Sequence, residues 1–135
     1  MKIIIICTGN SCRSQIAEGF FKHYRKDWEI YSAGISPKGL NPLAVEVMLE
    51  KGIDISKQTS NSIEEYSNKK FDFVITVCDK AKESCPLFQN ANETLHWSFP
   101  DPAEFMGGID EKMNKFREVR DQIEEKIIEF LKNFK

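Results

Sequence analysis

Apolar and polar residues fall along this chain in blocks whose periods differ, and the blocks define the elements. Ile3 to Ile6 are four β-branched residues with no polar interruption, the pattern of a strand buried on both faces of a parallel sheet, and Cys7 stands where that strand ends. From Ser14 onward Ile16, Ala17, Phe20, Phe21 and Tyr24 recur at the spacing of one helical face. Glu29 to Ser32 is short and β-prone and stops at Ala33-Gly34, which predicts a second strand. Asn41-Pro42 opens a helix, with a side-chain cap and proline in its first turn, and Gly52 closes it; Val45, Met48 and Leu49 form its expected buried stripe. Residues 53–58 are a connector with some strand character, and Ser60 or Ser62 can cap a short helix through Glu64, Glu65 and Tyr66. Phe71 to Val77 is a third strand that delivers Cys78 at its C-terminal end, and Thr94 to Trp97 a short fourth. After Gly107-Gly108 a long helix begins at Asp110, with Met113, Phe116, Val119, Ile123, Ile127, Phe130, Leu131 and Phe134 in three- and four-residue steps; the charged residues between them read as its solvated face.

Strands alternating with helices imply an α/β fold of three layers, a four-stranded parallel sheet in the order 2-1-3-4 with helices on both faces. Residues 1–135 suffice for one domain. Nineteen basic and 21 acidic residues leave a net charge of −2, so no global field draws nucleic acid or an anionic membrane, and any preference for anions must be local. The apolar run at the N-terminus is too short for a signal peptide, and no run approaches the length of a membrane span. A cytoplasmic protein is expected. Its four cysteines are then not permanent cross-links, and without two Cys-x2-Cys pairs they do not form a zinc site, so no metal is assigned.

The candidate chemistry begins in the loop between the first strand and the first helix, Cys7-Thr8-Gly9-Asn10-Ser11-Cys12-Arg13-Ser14. A turn of this kind aims several backbone N–H groups, and the positive end of the helix dipole, into one concavity that suits a small oxyanion. Gly9 permits close approach or a positive φ, and Arg13 offers a planar two-pronged donor to two oxygens of a tetrahedral anion. The same field favours a sulfur anion at Cys7, to which Ser14 can donate. The reading is a nucleophile facing a bound oxyanion; a buried structural cysteine beside a surface arginine is the alternative.

Two further features carry chemistry. Cys78 and Cys85 both follow the third strand, and ligand sites in parallel α/β sheets lie beyond the carboxyl ends of the strands, where Cys7 also emerges. Seven residues of regular helix would hold Cys78 and Cys85 roughly 10 Å apart, whereas a disulfide needs their Cα atoms within about 7 Å. If the segment is helical when reduced, oxidation must unwind it, making residues 79–92 a redox-driven mobile element; two buried thiols that never react are the alternative. Asp101, between Pro100 and Pro102, stands on a stiff loop, as a site carboxylate or as a turn former. His23 and His96 show no metal-ligand spacing.

The Cys7–Ser14 loop, the Cys78 and Cys85 pair and the stretch from Trp97 to Ala103, with Tyr31-Ser32-Ala33-Gly34 and Asn41-Pro42, together resemble the thioredoxin-coupled arsenate reductases, which are built on the low-molecular-weight tyrosine phosphatase fold. The resemblance runs over essentially the whole chain. It implies that the loop (Thr8, Gly9, Asn10, Ser11, Cys12, Arg13, Ser14) binds arsenate, with phosphate or sulfate as mimics. Cys7 attacks it and Asp101 acts as general acid. A Cys7–Cys78 disulfide then passes to Cys78–Cys85, which thioredoxin reduces. Cys12 is shared with the phosphatases and is not one of the family's redox thiols. A monomer is expected. Two departures stand out. The potassium ligands of some members match Asn10, Glu18 and Ser32, but Asn61 replaces an aspartate, so potassium is expected to bind weakly or not at all; and Ala103 lacks the ring with which the phosphatases usually stack a phosphotyrosine. Other readings are a protein phosphatase with extra cysteines and a non-enzymatic oxyanion or redox sensor.

Overall fold

The computed structural model describes residues 1–78 and 91–134. Four parallel strands, β1 (Lys2–Cys7), β2 (Glu29–Gly34), β3 (Phe71–Thr76) and β4 (Ala91–His96), form one sheet in the order β2-β1-β3-β4, as the sequence predicts. Strand β1 is an inner strand, paired on both sides, which explains its unbroken isoleucine run: Ile3, Ile4, Ile5 and Ile6 are all fully buried, each contributing about 1.5–3 kcal/mol of burial. Ile3 and Ile5 lie in the larger core with Ile16, Phe20 and Phe21 of α1 (Arg13–Tyr24), Ala44 and Val47 of α2 (Pro42–Leu49), and Phe116, Val119, Ile123 and Ile127 of α3 (Ile109–Leu131). Ile4 and Ile6 face the other way, into a smaller cluster with Ala33, Phe71 and Val74, against which Tyr31, Ile63 and Tyr66 pack.

Several boundaries and faces depart from the sequence reading. Strand β2 runs on to Gly34, and β4 begins at Ala91 rather than Thr94. Among the described residues β4, last in the order, pairs only with β3, and Asn92, Glu93 and Thr94 are exposed, so its N-terminal half needs no apolar pattern. In α2 the buried residues are Ala44, Val47 and Met48, whereas Leu49 is exposed and Val45 only packs at the edge. Tyr24 closes α1 at the surface, donating to Glu124. Arg120 does not belong to the solvated face of α3: it is 8 % exposed and donates to the Val47 carbonyl and to Glu50, fastening α3 to the end of α2. Ser62, not Ser60, caps the 3₁₀ turn Ile63–Tyr66, in a reciprocal box with Glu65. Cys85 and most of the expected redox-driven segment, residues 79–90, lie outside the described residues. No helix among the described residues is long and apolar enough to cross a membrane.

Candidate active site

Cys7 is the last residue of β1 and Arg13 the first of α1, so five residues turn the chain from sheet to helix. The turn is made at Asn10, whose φ of 47° lies in the left-handed region, which asparagine tolerates better than most residues; Gly9, where the sequence reading offers that freedom, has no positive φ. Asn10 is fully buried and bonded on every side. Its N–H points at Cys7 Sγ (3.2 Å), and its carbonyl accepts from Gln15 Nε2 (3.0 Å) and Ser60 Oγ (2.9 Å). Behind the loop Gly34 is obligatory: a Cβ there would lie 2.7 Å from the Thr8 carbonyl oxygen and 2.9 Å from both Asn10 N and the Cys7 carbonyl oxygen.

Hydrogen-bond polarity around the sulfur can be read from its ends. Asn10 Oδ1 accepts from the Asn61 main-chain N–H (2.8 Å), which leaves Nδ2 to donate to both Ser14 Oγ (2.7 Å) and Ser32 Oγ (3.0 Å). Ser32 passes its own proton to Glu18 Oε1, and Ser14, having accepted from Asn10, has its proton available for Cys7 Sγ at 2.9 Å. The sulfur therefore sits between a main-chain N–H and a hydroxyl, both able to donate.

Above it opens a cleft of about 360 Å³ lined by Cys7, Thr8, Gly9, Ser11, Cys12 and Arg13 of the loop, together with Ile35, Lys38, Asp101, Ala103 and Glu104. Arg13 is 3 % exposed; its Nη1 donates to the Phe99 carbonyl (3.3 Å) and its Nη2 stands 3.6 Å from Asp101 Oδ2. Asp101 is anchored through Oδ1, which accepts from the Ala103 N–H (3.0 Å) and so begins the short turn Pro102–Glu104. One carboxylate oxygen orients the residue and the other faces the arginine and the cleft. At Cys12 burial pushes the thiol up to about 12, outweighing the lowering effect of the Ser11 hydroxyl, with Asp101 and Cys7 raising it further. Such a thiol is protonated at neutral pH and a poor nucleophile.

Cys78 emerges from the neighbouring strand at the same edge of the sheet. Ile6 is paired with Thr76, and the Val77 N–H donates to the Ile6 carbonyl (2.9 Å), so Val77 comes level with Cys7 and Cys78 follows one residue on, past the end of β3. It is fully buried and disulfide-bonded, whereas Cys7 and Cys12 are free. His96 is tied to Thr76 through Nδ1, and His23 packs on Tyr24. Sequence reasoning missed Ile35, Lys38 and Glu104; the first two follow directly on β2, beyond its carboxyl end, the place where the strand-end rule looks for ligand residues.

The residues that resemble potassium ligands do converge, but their oxygens are engaged. Asn10 Oδ1 takes the Asn61 N–H, Glu18 Oε1 takes Ser32, Glu18 Oε2 holds the Lys22 ammonium at 2.5 Å, and the Asn61 side chain turns to Thr59 and Tyr66. This donor set does not fit a metal ion. Among the described residues no group of three or more His, Cys, Asp or Glu stands together as a metal site.

Comparison with known proteins agrees with this geometry. The family model described as low molecular weight phosphotyrosine protein phosphatase matches residues 2–135. An arsenate reductase of Halalkalibacterium halodurans is 50 % identical over 129 residues, 95 % of this chain and 93 % of that one. The solved structure of an arsenate reductase in the phosphate binding state superposes with a TM-score of 0.83 at 32 % identity, covering 99 % of this chain and 98 % of that one. A thioredoxin-dependent arsenate reductase of Corynebacterium glutamicum gives a TM-score of 0.71 at 26 % identity, over 98 % of this chain and 60 % of that one.

Proposed function

The chain belongs to the low molecular weight phosphotyrosine protein phosphatase family and, within it, with the arsenate reductases; from that premise we propose that it reduces arsenate to arsenite by a three-cysteine cascade regenerated by thioredoxin. The observation that carries this reading is the register of β1 and β3, by which Cys7 at the cradle floor and Cys78 leave adjacent strands at one sheet edge. The phosphate-bound relative supports an oxyanion in the cradle, and the thioredoxin-dependent relative supports the donor.

In this mechanism arsenate is received by the amides of the loop 8–13 and by Arg13, whose guanidinium balances its charge. The Cys7 sulfur forms a bond to arsenic, and the departing oxygen takes a proton from Asp101, beside Arg13 at the mouth of the cleft. The thiolate of reduced Cys78 then attacks the Cys7 sulfur. The S–As bond breaks, its electron pair stays on arsenic, which falls from the +5 to the +3 state, and a Cys7–Cys78 disulfide forms. Cys85 attacks Cys78, freeing Cys7 and leaving a Cys78–Cys85 disulfide for the dithiol of thioredoxin. Phosphate fits the same cradle but stops there, because phosphorus has no accessible two-electron reduction. A cycle closed by disulfide reduction belongs in a reducing compartment, which supports the cytoplasm.

The test is NADPH consumption with arsenate, thioredoxin and thioredoxin reductase for the wild type and each Cys→Ser variant. Cys7, Cys78 and Cys85 are expected to be indispensable and Cys12 dispensable. Full turnover of an aryl phosphate by C78S and C85S, with no arsenite from the wild type, would make the protein a phosphatase. One disulfide per chain under excess reductant would make it a sensor.

A further inference from the structure

The cradle is backed by a charged pair that the proposed reaction does not use. Glu18, in the second turn of α1, is 6 % exposed and lies behind the loop rather than in the cleft. A carboxylate removed from water in this way is costly unless it is both hydrogen-bonded and paired with opposite charge. Both conditions are met: Ser32 donates to Oε1, and the Lys22 ammonium, four residues on in the same helix, sits on Oε2. Lys22 is half exposed while Glu18 is buried, so the lysine reaches inward from the surface and leaves part of its stem in solvent.

The consequence reaches Cys7 because a carboxylate only accepts. It compels Ser32 to donate, Ser32 must then accept from Asn10 Nδ2, and the other proton of that amide goes to Ser14, whose hydroxyl lies 2.9 Å from the sulfur. We infer that Lys22 is a built-in counter-ion for Glu18 and a positioning residue for Cys7, acting through Glu18, Ser32, Asn10 and Ser14, so that the cradle is ordered without an external cation. The geometry of Lys22 and Glu18 stands on its own, but its importance for turnover rests on the reading of Cys7 as the reacting thiol.

Removing the ammonium leaves Glu18 Oε2 buried without its counter-charge, and a small monovalent cation can then take its place. Lys22→Met and Lys22→Arg are therefore compared with the wild type in potassium chloride and in tetramethylammonium chloride at equal ionic strength. Three quantities are read: the melting temperature, the rate of Cys7 alkylation by iodoacetamide, and arsenate turnover. The wild type and Lys22→Arg should be indifferent to the salt. Lys22→Met should lose turnover and alkylation rate by roughly 3- to 30-fold in tetramethylammonium, the range expected when a coupled network loses a member, and regain most of both in potassium. A mere packing role would lower the melting temperature without restoration by potassium. Potassium dependence of the wild type, no effect of Lys22→Met in either salt, or a defect that potassium fails to repair would each overturn the inference. Melting and alkylation need no arsenate, so a failure of the arsenate reading shows itself separately, as absence of turnover in the wild type while those two readouts still respond.

Discussion

Gly34 shows how little latitude single residues have at this site. Its missing side chain is replaced by three main-chain atoms of the Cys7–Asn10 segment, none of which can rotate away as a side chain could. Gly34→Ala must therefore push the loop off the end of β2. We expect it to cost about 1–3 kcal/mol in stability, and a displacement near 1 Å at the cradle to lower kcat/KM about a hundredfold. Parallel urea titration and arsenate kinetics check both; wild-type kinetics would show that the loop does not depend on that approach. Asn10 illustrates the opposite relation between sequence and site. It was legible as a member of the loop, yet its positive φ and its part as branch point between Ser14 and Ser32 depend on residues 14, 32 and 61, which no local spacing connects.

Among the elements, α1 carries the most constraint, because it supplies Arg13 to the cradle and is buried from Arg13 through Phe21. The apolar periodicity finds its core face but not this depth: Ser14, Gln15 and Glu18 are also enclosed, held by polar partners rather than by apolar contact. Gly19 marks where α1 meets the 53–55 connector. A Cβ there would lie 2.6 Å from Ile55 Cγ2 and 3.1 Å from Met48 Cε. Gly19→Ala gains up to about 1 kcal/mol of helix propensity, whereas forcing a methyl against the branched, buried Ile55 costs about 1–3 kcal/mol. The clash should win, by about 1 kcal/mol, seen as a lower urea midpoint; a higher midpoint would mean that the connector yields freely. At the sheet's edge, β4 was legible only in its apolar half, since a strand paired on one side can be polar along the rest.

At the scale of the molecule, the C-terminal end of α2 is joined to the middle of α3 by Glu50, which accepts from Arg117 and Arg120. The Arg117 hydrogen bonds, then those from Arg120, hold the Glu50 carboxyl down at about 2, against the usual 4.5. A carboxyl depressed on folding stabilises the native state fully above its unfolded value, so this contribution should fade as the pH falls from about 4.5 to about 2. Glu50 is partly exposed, so solvent screening limits the effect to less than about 1 kcal/mol. Glu50→Gln should flatten the stability profile in that window and leave arsenate turnover intact; an unchanged profile would show the pair contributes nothing. By itself the sequence determined the sheet order, the strand-loop-helix cradle, and the places of Cys7 and Cys78 at strand ends, of Arg13 at a helix start and of Asp101 in a proline-braced turn, because buried strands, helix starts and such turns are written in neighbouring residues. Only the tertiary structure decided that Asp101 meets Arg13, that Lys38 and Glu104 line the cleft, that Arg120 is buried, and that Lys22 answers Glu18 behind the sulfur. These depend on which side chains remote elements bring within a few ångströms, and on which charges burial forces to find a partner, neither of which a local pattern records.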